Sequence, residues 1–326
     1  MTHFDAHPQK SSSMIGRGRV FDNILQTVGN TPIVRLERLC ANHGAMAEIL
    51  AKIESFNPCN SIKDRSALAM IEGMEAEGRI KPETEIIEAT SGNNGVACAW
   101  ACAMKNIPLT ICIPEHMSIE RRKMMALFGA NVVLTKKELG TKGAIDKAKE
   151  LLSQNENALM LGQFENPANP NIHANTTAEE IWNDTNGQFD VVVAGIGTGG
   201  TFSGLAKLFK SRNPDVKMIA VEPASCPVLS KGEAGVHKIQ GLSSGHVPDV
   251  LRTDLIDEII TVENETAIEM ARTVARDEAI AVGISSGAAA WTSLQVAKRE
   301  DMKGKRIVTV FADFAERYIS TDLFDF

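Results

Sequence analysis

The 326-residue sequence lacks several features that would place a protein in a special class. It has no apolar run as long as a membrane-spanning helix, and its first 14 residues lack the apolar core of a signal peptide. It also has no excess of basic residues, because 41 acidic residues outnumber 34 basic ones and the net charge is -7. We therefore expect a cytoplasmic protein that binds neither membranes nor nucleic acids, with residues 1–14 as a disordered tail.

The six cysteines lack the spacing of a metal site. No CxxC pair is present, and no histidine accompanies Cys98 and Cys102 at ligand spacing, although these two would share a helix face. Free buried thiols in a reducing compartment explain the cysteines, and no metal is expected. Internal repeats are also missing, as are low-complexity segments after the tail.

What the sequence does contain is an alternation of apolar strands with helices. Largely apolar strand patterns, such as 189–194 and 306–311, are separated by helical patterns, which predicts parallel α/β sheets. Two such runs, before and after about residue 165, indicate two open, mostly parallel α/β domains. In sheets of this kind the functional site lies at the carboxyl ends of the strands.

Lys63 follows a turn-rich stretch and precedes an apolar helical pattern at 67–71. A lysine at a helix start feels the positive end of the helix dipole, which lowers its pKa, as burial also does. A neutral lysine amine is a nucleophile for carbonyl compounds. The simpler interpretation is a solvated lysine at a helix start.

The stretch Gly195-Ile-Gly-Thr-Gly-Gly-Thr201 lies between a strand pattern and a helix pattern. Glycines let the backbone approach an anion, helix N-terminal amides bind it, and the two threonines add hydroxyl donors. The stretch also satisfies G-x-G-x-x-G, and Glu222 stands about where a ribose-binding acid would be. A small phosphate site and a dinucleotide site both remain open here, beside a purely structural turn.

Two further polar loops precede helical patterns. Thr90-Ser-Gly-Asn-Asn-Gly95 offers amides and short side chains that suit a substrate carboxylate, and Gly283-Ile-Ser-Ser-Gly287 offers two serines. Either loop could instead be an N-cap. Together with a reactive lysine and a phosphate loop, however, they describe a site for pyridoxal 5'-phosphate (PLP).

The chain resembles the cysteine synthase (O-acetylserine sulfhydrylase) family of fold-type II PLP enzymes from about residue 23 to residue 324. The motifs that carry the resemblance occur in family order: Val28-Gly-Asn-Thr-Pro32, Asn57-Pro58, Ser61-Ile-Lys-Asp-Arg65, Thr90-Ser-Gly-Asn93, Pro114-Glu-His-Met-Ser-Ile-Glu-Arg-Arg122, Gln163-Phe-Glu-Asn-Pro167, Gly197-Thr-Gly-Gly-Thr201, Gly283-Ile-Ser-Ser-Gly287 and Glu316-Arg-Tyr-Ile-Ser-Thr321. The resemblance implies a fold like that of the tryptophan synthase β subunit, with the active site between two domains. One domain would span 57–167, and the PLP-binding domain would combine 15–56 with 168–326.

The resemblance also implies the roles of individual residues. Lys63 matches the Schiff-base lysine and proton-transfer base, Asn93 the partner of the ring hydroxyl, and Ser285, or alternatively Ser286, the partner of the pyridine nitrogen. The implied phosphate loop consists of Gly197, Thr198, Gly199, Gly200 and Thr201. The implied site for the substrate carboxylate consists of Thr90, Ser91, Gly92, Asn94 and Gln163.

Three departures from the family pattern surround this site. Asn94 replaces a usual threonine, and the 240–246 loop, with Ser243 and His246, makes the substrate-facing wall more polar than the usual Gly-Ile-Gly-Ala-Gly-Phe. Asp313 lies in a segment that departs from the usual Pro-Ser/Asp-x-Gly-Glu. We interpret Asp313 as a solvated loop acid, with perturbation of the cofactor as the alternative.

The resemblance implies β-replacement on an L-serine derivative through α-aminoacrylate, with L-cysteine formed from O-acetyl-L-serine and sulfide. The departures leave open another donor, such as O-phosphoserine, and another nucleophile, such as cysteine, homocysteine, cyanide or an amine. A non-catalytic relative that binds a partner is the alternative from a different class. The resemblance further implies a homodimer and, as a partner, the C-terminal tail of serine acetyltransferase.

Overall fold

The computed structural model describes residues 17–90 and 92–326. The expected tail at 1–14 and the expected site residue Ser91 lie outside the described residues. The strands of the described part are β1 Ile33–Arg35, β2 Glu48–Ile53, β3 Glu85–Ala89, β4 Leu109–Pro114, β5 Asn131–Thr135, β6 Ala158–Leu159, β7 Val191–Gly195, β8 Lys217–Pro223, β9 Glu258–Val262 and β10 Arg306–Phe311.

Helices alternate with these strands. The α-helices of the described part are α1 Glu37–His43, α2 Lys63–Ala76, α3 Asn93–Lys105, α4 Ile119–Leu127, α5 Gly140–Ser153, α6 Ala168–Ile172, α7 Ala178–Thr185, α8 Gly200–Arg212, α9 Val228–Lys231, α10 Asn264–Glu278 and α11 Ile284–Ala297. Within the described ranges, no helix is both long enough and apolar enough to span a bilayer.

The strands form two sheets. The larger has the order β1-β2-β10-β7-β8-β9 and is parallel except for the antiparallel pair β1–β2. The smaller has the order β5-β4-β3-β6 and is parallel throughout. The predicted fold of two open, mostly parallel α/β sheets is confirmed. The boundaries expected at 57 and 167 stay a prediction, because strand membership does not fix where a domain ends.

The core explains why the strands are apolar on both faces. In β7, Val191 and Val193 pack in the same cluster as Leu294 of α11, whereas Val192 and Ala194 pack in the same cluster as Phe202 and neighbouring residues of α8. Successive strand side chains point to opposite faces, so a parallel sheet covered on both sides needs an uninterrupted apolar run. Burying each valine contributes roughly 1.5–3 kcal/mol.

The helical segment after β6 begins earlier than its sequence indicates. The stretch 165–173 is rich in Asn and Pro, which predicts irregular structure followed by a helix that Thr176 caps. The chain is instead helical from Ala168 through a π-helical turn at His173–Thr177 to Thr185. The side chain of Asn166 accepts from the Ala168 amide at 2.9 Å and so supports this earlier start. Thr176 Oγ1 instead donates to the Ile172 carbonyl inside the helical segment. The expectation was wrong because the prolines fall where the helix needs no amide donor.

Candidate functional site

Lys63 is the first residue of α2, as expected. The turn before it is fixed by Asp64, whose carboxylate accepts from the Cys59 amide at 2.6 Å and from Ser61 Oγ at 3.3 Å. Burial lowers the pKa of Lys63 to about 8, while the nearby carboxylate of Asp313 acts in the opposite direction. About one amine in ten is then neutral at pH 7, which makes Lys63 a candidate nucleophile.

A buried ionic network anchors the start of α2. Arg65 donates to both carboxylate oxygens of Glu54, at 2.7 and 2.9 Å, and to both of Glu180, at 2.6 and 2.7 Å. The ammonium of Lys52 lies 2.9 Å from Glu180. Because removing one member would leave a charge buried without its partner, the network holds the Lys63 turn in place.

The 195–201 loop leads from β7 into the N-terminus of α8, where the first amide groups have no partner within the helix. Gly199 has a left-handed φ of +82°. A Cβ at Gly197 would collide with the carbonyl oxygen of Gly241, and one at Gly200 would collide with Asn169 Oδ1. Only glycine fits these two positions, and the amides at the start of α8 make this loop a candidate anion site.

Two side chains that sequence reasoning did not single out brace this loop. Asn169 Nδ2 donates to Thr198 Oγ1 at 3.0 Å and to the Gln163 carbonyl at 2.8 Å. His173 Nε2 lies 3.3 Å from Thr201 Oγ1, and burial lowers the pKa of His173 well below its ordinary value. The only sequence signal was their position in the stretch 165–173.

The dinucleotide alternative required Glu222 as a ribose acid. The structure gives this carboxylate another role, because it accepts from the amides of Leu229 and Ser230 at 2.8 and 3.0 Å and from Ser230 Oγ at 2.5 Å. Glu222 is buried and holds the start of α9. The geometry therefore favours a small phosphate site at this loop over a dinucleotide site.

The 90–95 loop leads from β3 into α3. Thr90 Oγ1 accepts from the Gly92 amide at 3.1 Å, and a Cβ at Gly92 would lie 2.7 Å from the side chain of Arg121. Asn94 is buried, and neither its Oδ1 nor its Nδ2 has a hydrogen-bond partner among the described residues. Buried polar groups are normally paired, so Asn94 is a candidate to bind a polar ligand at this helix start.

Asn93 and Asp313 form a hydrogen-bonded pair. Asn93 Nδ2 donates to Asp313 Oδ2 at 2.6 Å, and Asn93 Oδ1 accepts from Arg121 and Arg317. Asp313 is only 2% exposed, so our interpretation of it as a solvated loop acid was wrong. A single antiparallel bridge to Ser61 places the Asp313 segment against the Lys63 turn, where a loop acid becomes enclosed.

The two serines of α11 differ in their availability. Ser286 Oγ accepts from the Ala312 amide at 3.0 Å and is therefore engaged in the structure. Ser285 Oγ has no such bond within the described part of the chain and lies beside Gly241. The geometry favours Ser285 over Ser286 as the residue free to meet a ligand.

The polar residues of the 240–246 loop differ in their surroundings. Ser243 Oγ lies 3.2 Å from the Cys226 thiol, so its hydroxyl is engaged on the side of Cys226. His246 is exposed and packs edge-on against Phe164, with ring centroids 5.0 Å apart. Phe164 follows the buried Gln163 in sequence, which puts His246 near that residue. A substrate contact for Ser243, His246 or Gln163 stays a prediction.

Contacts of Asp313 and Gly241 bring the polar loops described above close to one another. Asp313 links the Lys63 turn to Asn93, its Oδ1 lies against Gly283, and Gly241 lies between Gly197 and Ser285. The donor set fits PLP: free helix amides and hydroxyls suit its phosphate, and a lysine of lowered pKa suits its aldehyde. Asn94, whose two polar atoms are buried without a partner among the described residues, is a further candidate for a ligand contact.

Comparisons with known proteins agree with this geometry. The family model described as "Pyridoxal-phosphate dependent enzyme" matches residues 24–313. A cysteine synthase of Staphylococcus aureus is 47% identical over 306 residues, which cover 94% of this chain and 97% of that protein. The crystal structure of a cysteine synthase from Entamoeba histolytica superposes with a TM-score of 0.93 at 39% identity, covering 98% of this chain and 95% of that one. The structure of an O-ureido-L-serine synthase has a TM-score of 0.90 at 40% identity, covering 94% and 96%.

Proposed function

The chain belongs to the pyridoxal-phosphate dependent enzymes and, within them, to the cysteine synthase family, and from this premise we propose that it makes L-cysteine from O-acetyl-L-serine and sulfide. The predicted family and cofactor are confirmed. The proposal depends on one observation. Contacts of Asp313 and Gly241 bring the Lys63 turn, the 195–201 loop and the 90–95 loop close to one another.

When bound, PLP supplies an electron sink for negative charge that develops at the α-carbon of an amino acid. In our proposal Lys63 holds the cofactor covalently, and the amides and hydroxyls of 197–201 hold its phosphate. Asn93 donates to the ring hydroxyl, and the free hydroxyl of Ser285 meets the pyridine nitrogen. These assignments are supported by two observations. The first amides of α8 have no partner within the helix, and Ser286, not Ser285, is engaged by a backbone amide.

The substrate-side roles follow from the same geometry. Thr90, Gly92, Asn94 and the N-terminus of α3 bind the α-carboxylate of the donor, with Gln163 beside them and Ser91 as a further predicted contact. This anchoring orients the α-carbon toward Lys63. The Lys63 amine then takes the α-proton and later returns it, a task that suits a group whose pKa lies near the working pH.

A second candidate is β-replacement with a different donor or nucleophile. It is favoured by Asn94 and by the polar 240–246 loop, in which the exposed His246 stands beside Phe164. An O-ureido-L-serine synthase among the similar structures demonstrates that this fold hosts such a reaction. O-phosphoserine as donor, and cysteine, homocysteine, cyanide or an amine as nucleophile, are the alternatives to test.

We extend the proposal to a cytoplasmic homodimer that binds the C-terminal tail of serine acetyltransferase. The family resemblance supports both the second copy of the chain and the acetyltransferase tail as partners. A monomeric mass in light scattering would reject the dimer. Failure of a tail peptide to compete with O-acetylserine would reject the second partner.

A donor and nucleophile matrix tests the function. The purified holoenzyme is mixed with O-acetylserine, O-phosphoserine or serine, and the visible spectrum is followed before and after each nucleophile is added. We expect O-acetylserine to produce a new band that sulfide abolishes, with L-cysteine as the product by mass spectrometry. A response limited to another donor or nucleophile would transfer the assignment to the second candidate, and no response to any pair would reject both.

A further inference from the structure

The proposed function assigns no role to one buried acid, Asp313. Asp313 lies in a group that we call the Asp313 cluster, which consists of Asn93, Arg121, Asp313, Arg317 and Tyr318. The cluster joins α3 and α4, which pack at the smaller sheet, to the segment after β10 of the larger sheet. Asn93 is the member of the cluster to which the proposed function assigns a contact with PLP.

The Asp313 carboxylate is held from several sides. Its Oδ2 accepts from Asn93 Nδ2 and from the Tyr318 hydroxyl, each at 2.6 Å, and the Arg121 guanidinium is 3.9 Å away. Burial raises the pKa of Tyr318 well above its ordinary value, so its hydroxyl keeps the proton that it donates. Oδ1 is buried against Gly283 and has no hydrogen-bond partner within the described residues.

These charges determine which way the Asn93 amide faces. Its Oδ1 accepts from Arg121 Nε at 3.2 Å and from Arg317 Nη1 at 3.0 Å, while its Nδ2 donates to Asp313. The reversed amide would set an NH₂ group against two guanidinium groups and an oxygen against a carboxylate. Three of the four hydrogen-bonding positions of the amide are thus occupied, and the one that remains is an N–H donor.

We propose that Asp313 is a positioning residue, which fixes the Asn93 amide so that its remaining N–H donates to the ring oxygen of bound PLP. This inference rests on the proposed function. A donor at that oxygen stabilises its deprotonated form, whereas an amide free to turn would also present an acceptor and favour the protonated form. The two forms absorb visible light differently, so the effect has a spectroscopic signature.

The same carboxylate acts on Lys63. Burial lowers the pKa of Lys63, and the negative charge of Asp313 opposes that shift. Removing the charge while keeping the volume should therefore lower the pKa of Lys63 further. Attachment of PLP to Lys63 would then reach its full rate at lower pH than in the wild-type chain.

The test compares Asp313→Asn with Glu316→Gln in the full-length chain. Both changes remove one carboxylate at nearly constant volume, but Glu316 is exposed and lies outside the cluster. We expect Asp313→Asn to move the cofactor absorption toward the protonated form and to raise the dissociation constant for PLP about fivefold to tenfold. Glu316→Gln should leave both quantities unchanged.

A second variant removes a partner of the oxygen of the Asn93 amide instead of a partner of its nitrogen. Arg317→Gln removes one of the two cations at Asn93 Oδ1 and leaves Asp313 in place. We expect the same spectral change at a smaller size, and this result would support the proposal even if Asp313→Asn did not fold. A lower melting temperature with an unchanged spectrum and unchanged PLP affinity would indicate a purely structural role and overturn it.

Failure of this inference is distinguishable from failure of the proposed function. If the wild-type chain shows no cofactor band with PLP, the proposed function fails and the role of Asp313 fails with it. If the wild-type band is present and neither variant moves it, the positioning role alone is rejected.

Discussion

The 195–201 loop and the 90–95 loop occupy equivalent places, each after a parallel strand and before a helix, yet they are built differently. In the first, Thr198 and Thr201 are braced by hydrogen bonds with Asn169 and His173. In the second, Asn94 lies buried with both polar atoms unpartnered. Under our proposal, the loop for the resident cofactor is braced in advance, whereas the loop for the substrate keeps free polar groups.

The largest expected effect comes from breaking the braced loop. Gly197→Ala would drive a methyl group into the Gly241 carbonyl, and such overpacking costs about 1–3 kcal/mol. We expect PLP affinity, measured by fluorescence titration, to fall about fivefold to 150-fold. Gly73→Ala is the control, because its methyl group would meet Ala168 Cβ at an ordinary 3.8 Å. Equal PLP affinity in the two variants would show that the loop is not braced.

The substitution Asn94→Asp in the 90–95 loop should weaken substrate binding without weakening cofactor binding. The new carboxylate would repel the carboxylate of the substrate and remove a donor, a loss of about 1–3 kcal/mol. We expect KM for O-acetylserine to rise about fivefold to a hundredfold in steady-state assays, with PLP affinity within about twofold of wild type. Asn94→Thr restores the residue usual in the family and should stay near wild type. A loss of PLP from Asn94→Asp would remove the distinction between the loops.

The pH dependence of cofactor attachment extends the comparison to Lys63, the first residue of α2. The pKa of Lys63 is lowered to about 8, so the neutral amine increases as pH rises through that value. From pH 7 to pH 9 the neutral fraction grows about tenfold, and we expect the rate of PLP attachment to the cofactor-free chain to grow alike. Stopped-flow absorbance measures this rate. A rate that is flat over this range would place the pKa elsewhere.

The smallest effect is expected from removing one hydrogen bond that holds the 195–201 loop. Asn169→Ala removes the hydrogen bond to Thr198 Oγ1 but leaves the glycines and the helix amides of the loop. One hydrogen bond contributes about 0.5–1.5 kcal/mol, so PLP affinity should fall about threefold to tenfold while KM for O-acetylserine changes less. A larger change in KM than in PLP affinity would mean that Asn169 serves the substrate side instead.

Much of the fold could be predicted because its signals are local. The apolar run of β7, the glycine-rich turn after it and the Ser118 cap of α4, which the structure shows accepting from the Arg121 amide, all lie within a few neighbouring residues. The family motifs placed the loops of the site in order. The start of α6 was missed because Asn166, whose side chain accepts from the Ala168 amide, lies in a stretch whose composition indicates a loop.

The rest of the site depends on residues far apart in sequence. The burial of Asp313 follows from contacts with Asn93, Gly283 and Tyr318, and no local pattern at 311–316 records them. The engagement of Glu222 by α9 likewise could not be read from its spacing after the glycine-rich loop. Sequence reasoning placed the loops, whereas the charges that orient their side chains emerge only in the fold.

The central claim is that loops from both sheets assemble a PLP site around Lys63, and borohydride reduction of the holoenzyme tests it most directly. Reduction makes the bond between PLP and its lysine permanent, and peptide mass spectrometry then locates the modified residue. We expect one modified peptide, containing Lys63, and its absence from Lys63→Ala, with Lys298→Ala as a control for lysine removal. Stoichiometric modification of a different lysine, or none at all, would contradict the account.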